Sequence, residues 1–144
     1  MYRLVPFLSL VLLAAAAPDA NKKDLEAMQG DWAGESLVRD GQALEADDAQ
    51  ALFRTVKGND YTVHRFRKKA GSGTFKLDAT KTPKEIDVVP DGLPKGTLIK
   101  GIYKLEDGRL TMCYGGPKQD RPKEFAAKEG TGHTLAVWVR EKKK

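Results

Sequence analysis

The sequence predicts an all-β protein, an up-and-down antiparallel barrel of about eight strands with one short helix. Three observations carry this expectation. Short segments of strand character recur along the chain, divided by turn residues at hairpin spacing; they do not alternate with helices; and 144 residues leave room for a single core. Closing such a meander removes its exposed edges. Eight strands leave an interior that side chains fill or that one small ligand occupies.

Residues 1–17 read as a leader. Met1-Tyr2-Arg3 supplies a positive start, residues 4–17 are apolar apart from Ser9, and the alanines at 14–17 offer small residues for cleavage. The stretch is shorter than the about 20 residues a spanning helix needs. Cleavage predicts an exported protein, periplasmic or extracellular, that does not span the membrane; an uncleaved anchor is the alternative. Residues 18–29 follow as a linker with a short helix, where Leu25 and Met28 lie one turn apart and Asn21 or Asp24 serves as cap. Residues 30–144 form the barrel domain.

Gly30 breaks the helix, and residues 31–39 make a first strand ended by the Asp40-Gly41 turn signal. Residues 46–53 are the one internal helical stretch, with Asp47 and Asp48 in the first turn, where the helix dipole favours acid. Strands at 54–57 and 61–68 flank Gly58-Asn59-Asp60. Residues 73–77 follow Gly71, and 85–89 sit between Pro83 and Pro90. Strands at 97–105 and 109–114 flank Glu106-Asp107-Gly108, and 134–141 close the domain. Alternation places Ile99, Gly101, Tyr103 and Leu105 on one strand face, and Leu110, Met112 and Tyr114 on one face of the next.

Charge is mixed in sign and aromatics recur from Trp32 to Trp138, which indicates a folded domain with a thin core. A net charge of +5 is ordinary for solubility, and export removes nucleic acid as a partner. The lone Cys113 excludes an internal disulfide and reads as a small buried side chain on a strand. His64 and His133 lie far apart, so neither a metal site nor a cofactor is expected. Glu85 and Asp87 share a strand face beside Lys81 and Lys84, a solvated outer face rather than an acid–base pair. Ser36 and Ser72 lack a nucleophile motif, and Gly71-Ser72-Gly73 and Gly115-Gly116-Pro117 read as hairpin or loop glycines. No catalytic residue emerges, and the chain is not read as an enzyme.

Two basic stretches remain. Residues 64–69, His-Arg-Phe-Arg-Lys-Lys, read as a solvated edge strand, or as a contact for an anionic cell-envelope polymer. In the 121–125 loop, Phe125 is expected to anchor on the barrel while Arg121 pairs with Glu124 or reaches an acidic ligand.

Gly30-Asp31-Trp32 at the start of the first strand and Arg140 near the end of the last resemble the lipocalin superfamily's Gly-x-Trp motif and its terminal basic residue. The resemblance implies that Arg140 packs across Trp32 and closes one end of the barrel. A second resemblance runs through nearly the whole mature chain: Leu25, Gln29-Gly30, Trp32, Ser36, Asp40-Gly41, then 73–78, Thr80-Lys81, Pro83-Lys84 and Ile86-Asp87, then Gly101-Ile102-Tyr103, Leu110, Cys113, Arg121-Pro122, Glu124-Phe125 and Gly132-His133. These blocks resemble a small exported lipocalin-like domain family of uncharacterised function, found mainly in planctomycete bacteria. It supplies a fold and no catalytic residues.

The expected function is non-catalytic binding of a small apolar or amphipathic molecule in the barrel. The alternative is a protein-interaction or envelope-associated module with a filled barrel. The candidate ligand contacts are Phe75, Gly101, Tyr103, Met112, Tyr114, Arg121 and Phe125. Gly101 and Ala136 would leave space that Phe75, Tyr103, Met112 and Trp138 could fill. A small, mainly apolar pocket is expected at the low end of about 300–1,000 Å³, nearer the 121–125 loop than Trp32.

Overall fold

The computed structural model describes residues 16–141; the predicted leader therefore lies almost wholly outside the described residues. Helix α1 (Ala16–Met28) precedes β1 (Gly30–Arg39) and the two-residue β2 (Gln42–Ala43). Helix α2 (Ala46–Gln50) leads into β3 (Leu52–Lys57), β4 (Asp60–Arg65), β5 (Lys68–Asp78) and β6 (Lys84–Pro90). β7 (Ile99–Glu106), β8 (Arg109–Tyr114) and β9 (Thr134–Arg140) complete the chain. Every pairing is antiparallel; β1 pairs with β3, consecutive strands pair from β3 to β9, and β9 returns to β1, from Trp32 opposite Arg140 to Arg39 opposite Thr134. β2 pairs only with the end of β1, so the closed barrel has eight strands, the all-β class expected.

Alternation sorts the side chains. Trp32, Leu37, Val56, Phe75, Leu77, Ile86, Val88, Tyr103, Leu110, Met112, Ala136 and Trp138 form the buried core with Met28 from α1. Gly30, at a φ of +104°, ends α1 and turns the chain into β1, a conformation that a side chain would strain.

Several elements differ from their expected extents for physical reasons. Helix α2 is shorter than 46–53, because Leu52 and Phe53 already pair with Arg65 and His64. The basic stretch 64–69 is not one strand: it covers the end of β4 and the start of β5, joined by a turn in which Phe66 and Arg67 hold φ of +48° and +64°. His64 and Arg65 are paired on both sides, whereas Lys68 and Lys69 pair with β4 alone, because β6 meets β5 only from Gly73. The Asp40-Gly41 and Asp107-Gly108 hairpins use the same sign of φ at both turn residues. There the sequence advertises the turn with glycine. At Phe66-Arg67 it does not, and the apolar–basic run reads straight through.

Residues 115–133 connect β8 to β9 without regular structure and lie against the outside of the barrel. Ile102 and Cys113, on the outward faces of β7 and β8, are buried together with Pro122 and Ala127 of this loop. The Cys113 thiol donates to the Ala126 carbonyl at 3.4 Å. Burial is the largest influence on the thiol and raises its pKa.

Candidate functional site

The two barrel ends are built differently. At one, α1 covers the opening. Trp32, 1% exposed, donates from its indole nitrogen to the Met28 carbonyl at 2.9 Å. The Arg140 guanidinium stacks 4.1 Å from the Trp32 ring and donates to the carbonyls of Ala27 and Gln29 at the end of α1. Its positive charge thus meets the negative end of the helix dipole. Asp24, buried on the same helix, accepts from the Tyr103 hydroxyl and the Lys84 ammonium, each at 2.8 Å. Asn21 accepts the Ala79 backbone N–H at 2.6 Å. Helix, strands and loop are tied together, and this end is shut.

The opposite end holds a pocket of about 460 Å³. Its walls are Leu37, Leu44, Leu52, Val63, Val88, Pro90, Ile99 and Met112, with Trp138, Tyr61 and Tyr114, and three arginines, Arg39, Arg54 and Arg65. Among the described residues, no acidic side chain lines it. Gly71 of β5 lines the pocket and makes room, since a Cβ there would meet nothing within 4 Å. Gly73 instead permits close packing: a Cβ there would fall 2.3 Å from the Val89 carbonyl oxygen and 3.0 Å from the Pro90 Cα. Both glycines are strand residues facing inward, not the hairpin glycines expected. Short helix α2 crosses β1 so closely that a Cβ on Gly34 would fall 2.1 Å from the Ala49 carbonyl oxygen.

Arg54 differs from the other two arginines. Arg65 pairs with Asp48 at 3.2 Å on the rim, and Arg39 donates to the Thr134 hydroxyl at 3.3 Å. Arg54 is 6% exposed, and its Nε and Nη2 are buried without a hydrogen-bond acceptor among the described residues. The guanidinium lies 4.6 Å from the Tyr61 ring centroid. Burial is the largest influence on Arg54 and lowers its pKa. Burial also raises the pKa of both tyrosines.

Of the predicted contacts, Met112 and Tyr114 line this pocket. Phe75 and Tyr103 are interior but pack elsewhere in the core, and the Tyr103 hydroxyl is occupied by Asp24 at the shut end. Gly101 opens no space: a Cβ there would lie 2.9 Å from the Cys113 carbonyl and 3.0 Å from the Tyr114 Cβ, so it serves close packing. Arg121 and Phe125 are on the outer wall. Arg121 pairs not with Glu124 but with Asp87 at 2.7 Å and Glu85 at 3.4 Å, and donates to the carbonyls of Gly101 and Ile86. Those bonds pin the loop to the β6–β7 seam and leave the guanidinium committed. Glu124 pairs with Lys128, and Lys104 stands 4.9 Å over the Phe125 ring. A shallow polar groove of about 740 Å³ runs along this loop beside Arg121. The pocket is thus remote from Trp32, but the 121–125 loop does not roof it. Sequence reasoning missed Arg54, Tyr61 and Gly71. Arg54 opens a predicted strand of four residues, where alternation alone does not choose a face.

Among the described residues no three His, Cys, Asp or Glu side chains are placed to hold a metal ion, and no helix is long and apolar enough to cross a membrane. No protein-family profile, curated protein or solved structure matches the chain.

Proposed function

We propose that this chain is an exported, non-catalytic binding protein that takes a small apolar or amphipathic molecule into the open end of its barrel. The observation that carries the reading is the 460 Å³ pocket itself, walled by aliphatic and aromatic side chains in a barrel whose other end is shut. At about 30 Å³ per heavy atom, the share a water molecule takes in the liquid, it suits a ligand of roughly fifteen heavy atoms or fewer. Concave, mostly apolar sites with a few placed polar groups are where such molecules bind. The leader-like residues 1–17 support export, and the resemblance to a small exported family agrees with it.

Native mass spectrometry of protein recovered from an exporting host tests the reading. A small-molecule adduct is expected, and it should vanish in Gly71→Leu, whose side chain would project into the empty space at that position. An adduct unchanged in Gly71→Leu would place the binding elsewhere. No adduct, with no ligand-induced change in Trp138 fluorescence across a panel of medium-chain amphiphiles, would refute it.

A further inference from the structure

We infer that the ligand is an anionic amphiphile whose head sits on Arg54 and whose apolar body lies along the pocket wall; this rests on the binding reading above. The inference stands on what surrounds the guanidinium. Buried charges in folded proteins are paired and hydrogen-bonded, because taking an ion out of water is costly. Arg54 is buried in the barrel and borders the pocket, yet among the described residues Nε and Nη2 meet no acceptor and no carboxylate lines the pocket. The guanidinium stacks on the Tyr61 ring at 4.6 Å, beside the pocket. What the site lacks is an acceptor with negative charge, and a guanidinium presents donors in a fork that fits a planar oxyanion.

The rest of the pocket agrees. Arg39 and Arg65 add positive charge towards the rim, where Arg65 shares its charge with Asp48. They favour entry of an anion and disfavour a cation. The apolar walls are too extensive for a bare inorganic ion and would be matched by a short hydrocarbon body.

The test compares three ligands of one chain length, decanoate, decan-1-ol and decylammonium, by isothermal titration calorimetry against the full chain. Decanoate is expected to bind about tenfold or more tightly than decan-1-ol, the range of a charge-assisted hydrogen bond. Decylammonium should bind most weakly. Arg54→Met, which keeps an apolar side chain of similar length, should remove the preference for decanoate while decan-1-ol still binds. Equal affinities for decanoate and decan-1-ol in the wild type, or a preference for decylammonium, would overturn the anionic assignment while leaving the binding reading intact. Failure of all three ligands to bind would refute both. The wild-type comparison needs no variant, so a misfolded Arg54→Met would not shield the proposal. A folded Arg54→Met that still prefers decanoate would overturn the assignment to Arg54.

Discussion

Replacing Arg54 with methionine is expected to stabilise the ligand-free protein, although it removes a buried side chain's charge and a stacking contact. Two effects oppose each other. The loss is the contact with Tyr61 at 4.6 Å, worth about 0.5–2 kcal/mol. The gain is release of an ion from a site with no counter-charge. Two buried donors without acceptors cost about 1–3 kcal/mol each, and the charge itself costs several kcal/mol more once shielded from water. Arg54 borders the pocket, so solvent there offsets part of this cost. Taking the low end of the penalty and the middle of the stacking contact leaves a net gain of about 1–3 kcal/mol. For a domain of this size that raises the melting temperature by roughly 3–10 °C. Urea and thermal unfolding of delipidated wild type and Arg54→Met measure it directly. Adding decanoate should then raise the wild type towards the variant, since a ligand that binds only the folded state stabilises it. A variant less stable than the wild type by 1 kcal/mol or more would show that Arg54 is already well partnered, and the reasoning would fail.

Other expectations follow from the two ends and the outer wall. Arg140→Ala removes the stack on Trp32 and two charge-assisted bonds to α1 carbonyls, and should cost about 2 kcal/mol in urea unfolding with a shift in tryptophan emission; a change below about 0.5 kcal/mol would show that the closure is ornamental. Gly34→Ala must push α2 away from β1, at about 1–3 kcal/mol, and proteolysis near 46–50 should accelerate. Cys113 is fully buried beneath the 115–133 loop and its thiol pKa is raised, so iodoacetamide at pH 8 should leave it unmodified until urea unfolds the barrel. Rapid alkylation of folded protein would mean that the loop lifts from the wall. Arg121→Ala should free the loop from the β6–β7 seam and make Cys113 reactive without altering decanoate affinity, because Arg121 lies outside the pocket.

The barrel was legible in the sequence because its evidence is local. Asp40-Gly41, Asp107-Gly108 and the proline-bounded β6 mark strand ends, and alternation in β7 and β8 assigns faces correctly: Gly101, Tyr103, Met112 and Tyr114 all point inward. The Phe66-Arg67 turn escaped because it adopts a left-handed conformation without the residues that usually signal it. The binding site was harder, since it depends on register and on height within the barrel. Tyr103 and Met112 are paired across β7 and β8, yet one is tied to α1 and the other lines the pocket. A glycine on an inner face is equally ambiguous by itself. Gly101 is tightly packed on both sides, whereas Gly71 opens space, and only the neighbouring strands decide between them.

Arginine shows the same dependence most clearly, and there it bears on function. Beside the basic run 64–69, the sequence singles out Arg140 at a strand end and Arg121 in a loop. In the fold both are fully engaged: Arg140 with the Trp32 ring and two helix carbonyls, Arg121 with two carboxylates and two strand carbonyls. Arg54, inside a short strand between Phe53 and Thr55, carries no mark in the sequence and is the one among the described residues with buried donors unmet. A guanidinium with its partners in place holds structure together and has little left to offer a ligand. One buried without them weakens the empty barrel and is most readily relieved by an anion from outside. Stability given up at Arg54 is thus the physical reason to look for function there, in a barrel whose closed end shows how thoroughly the same chain satisfies an arginine that has only to hold the fold.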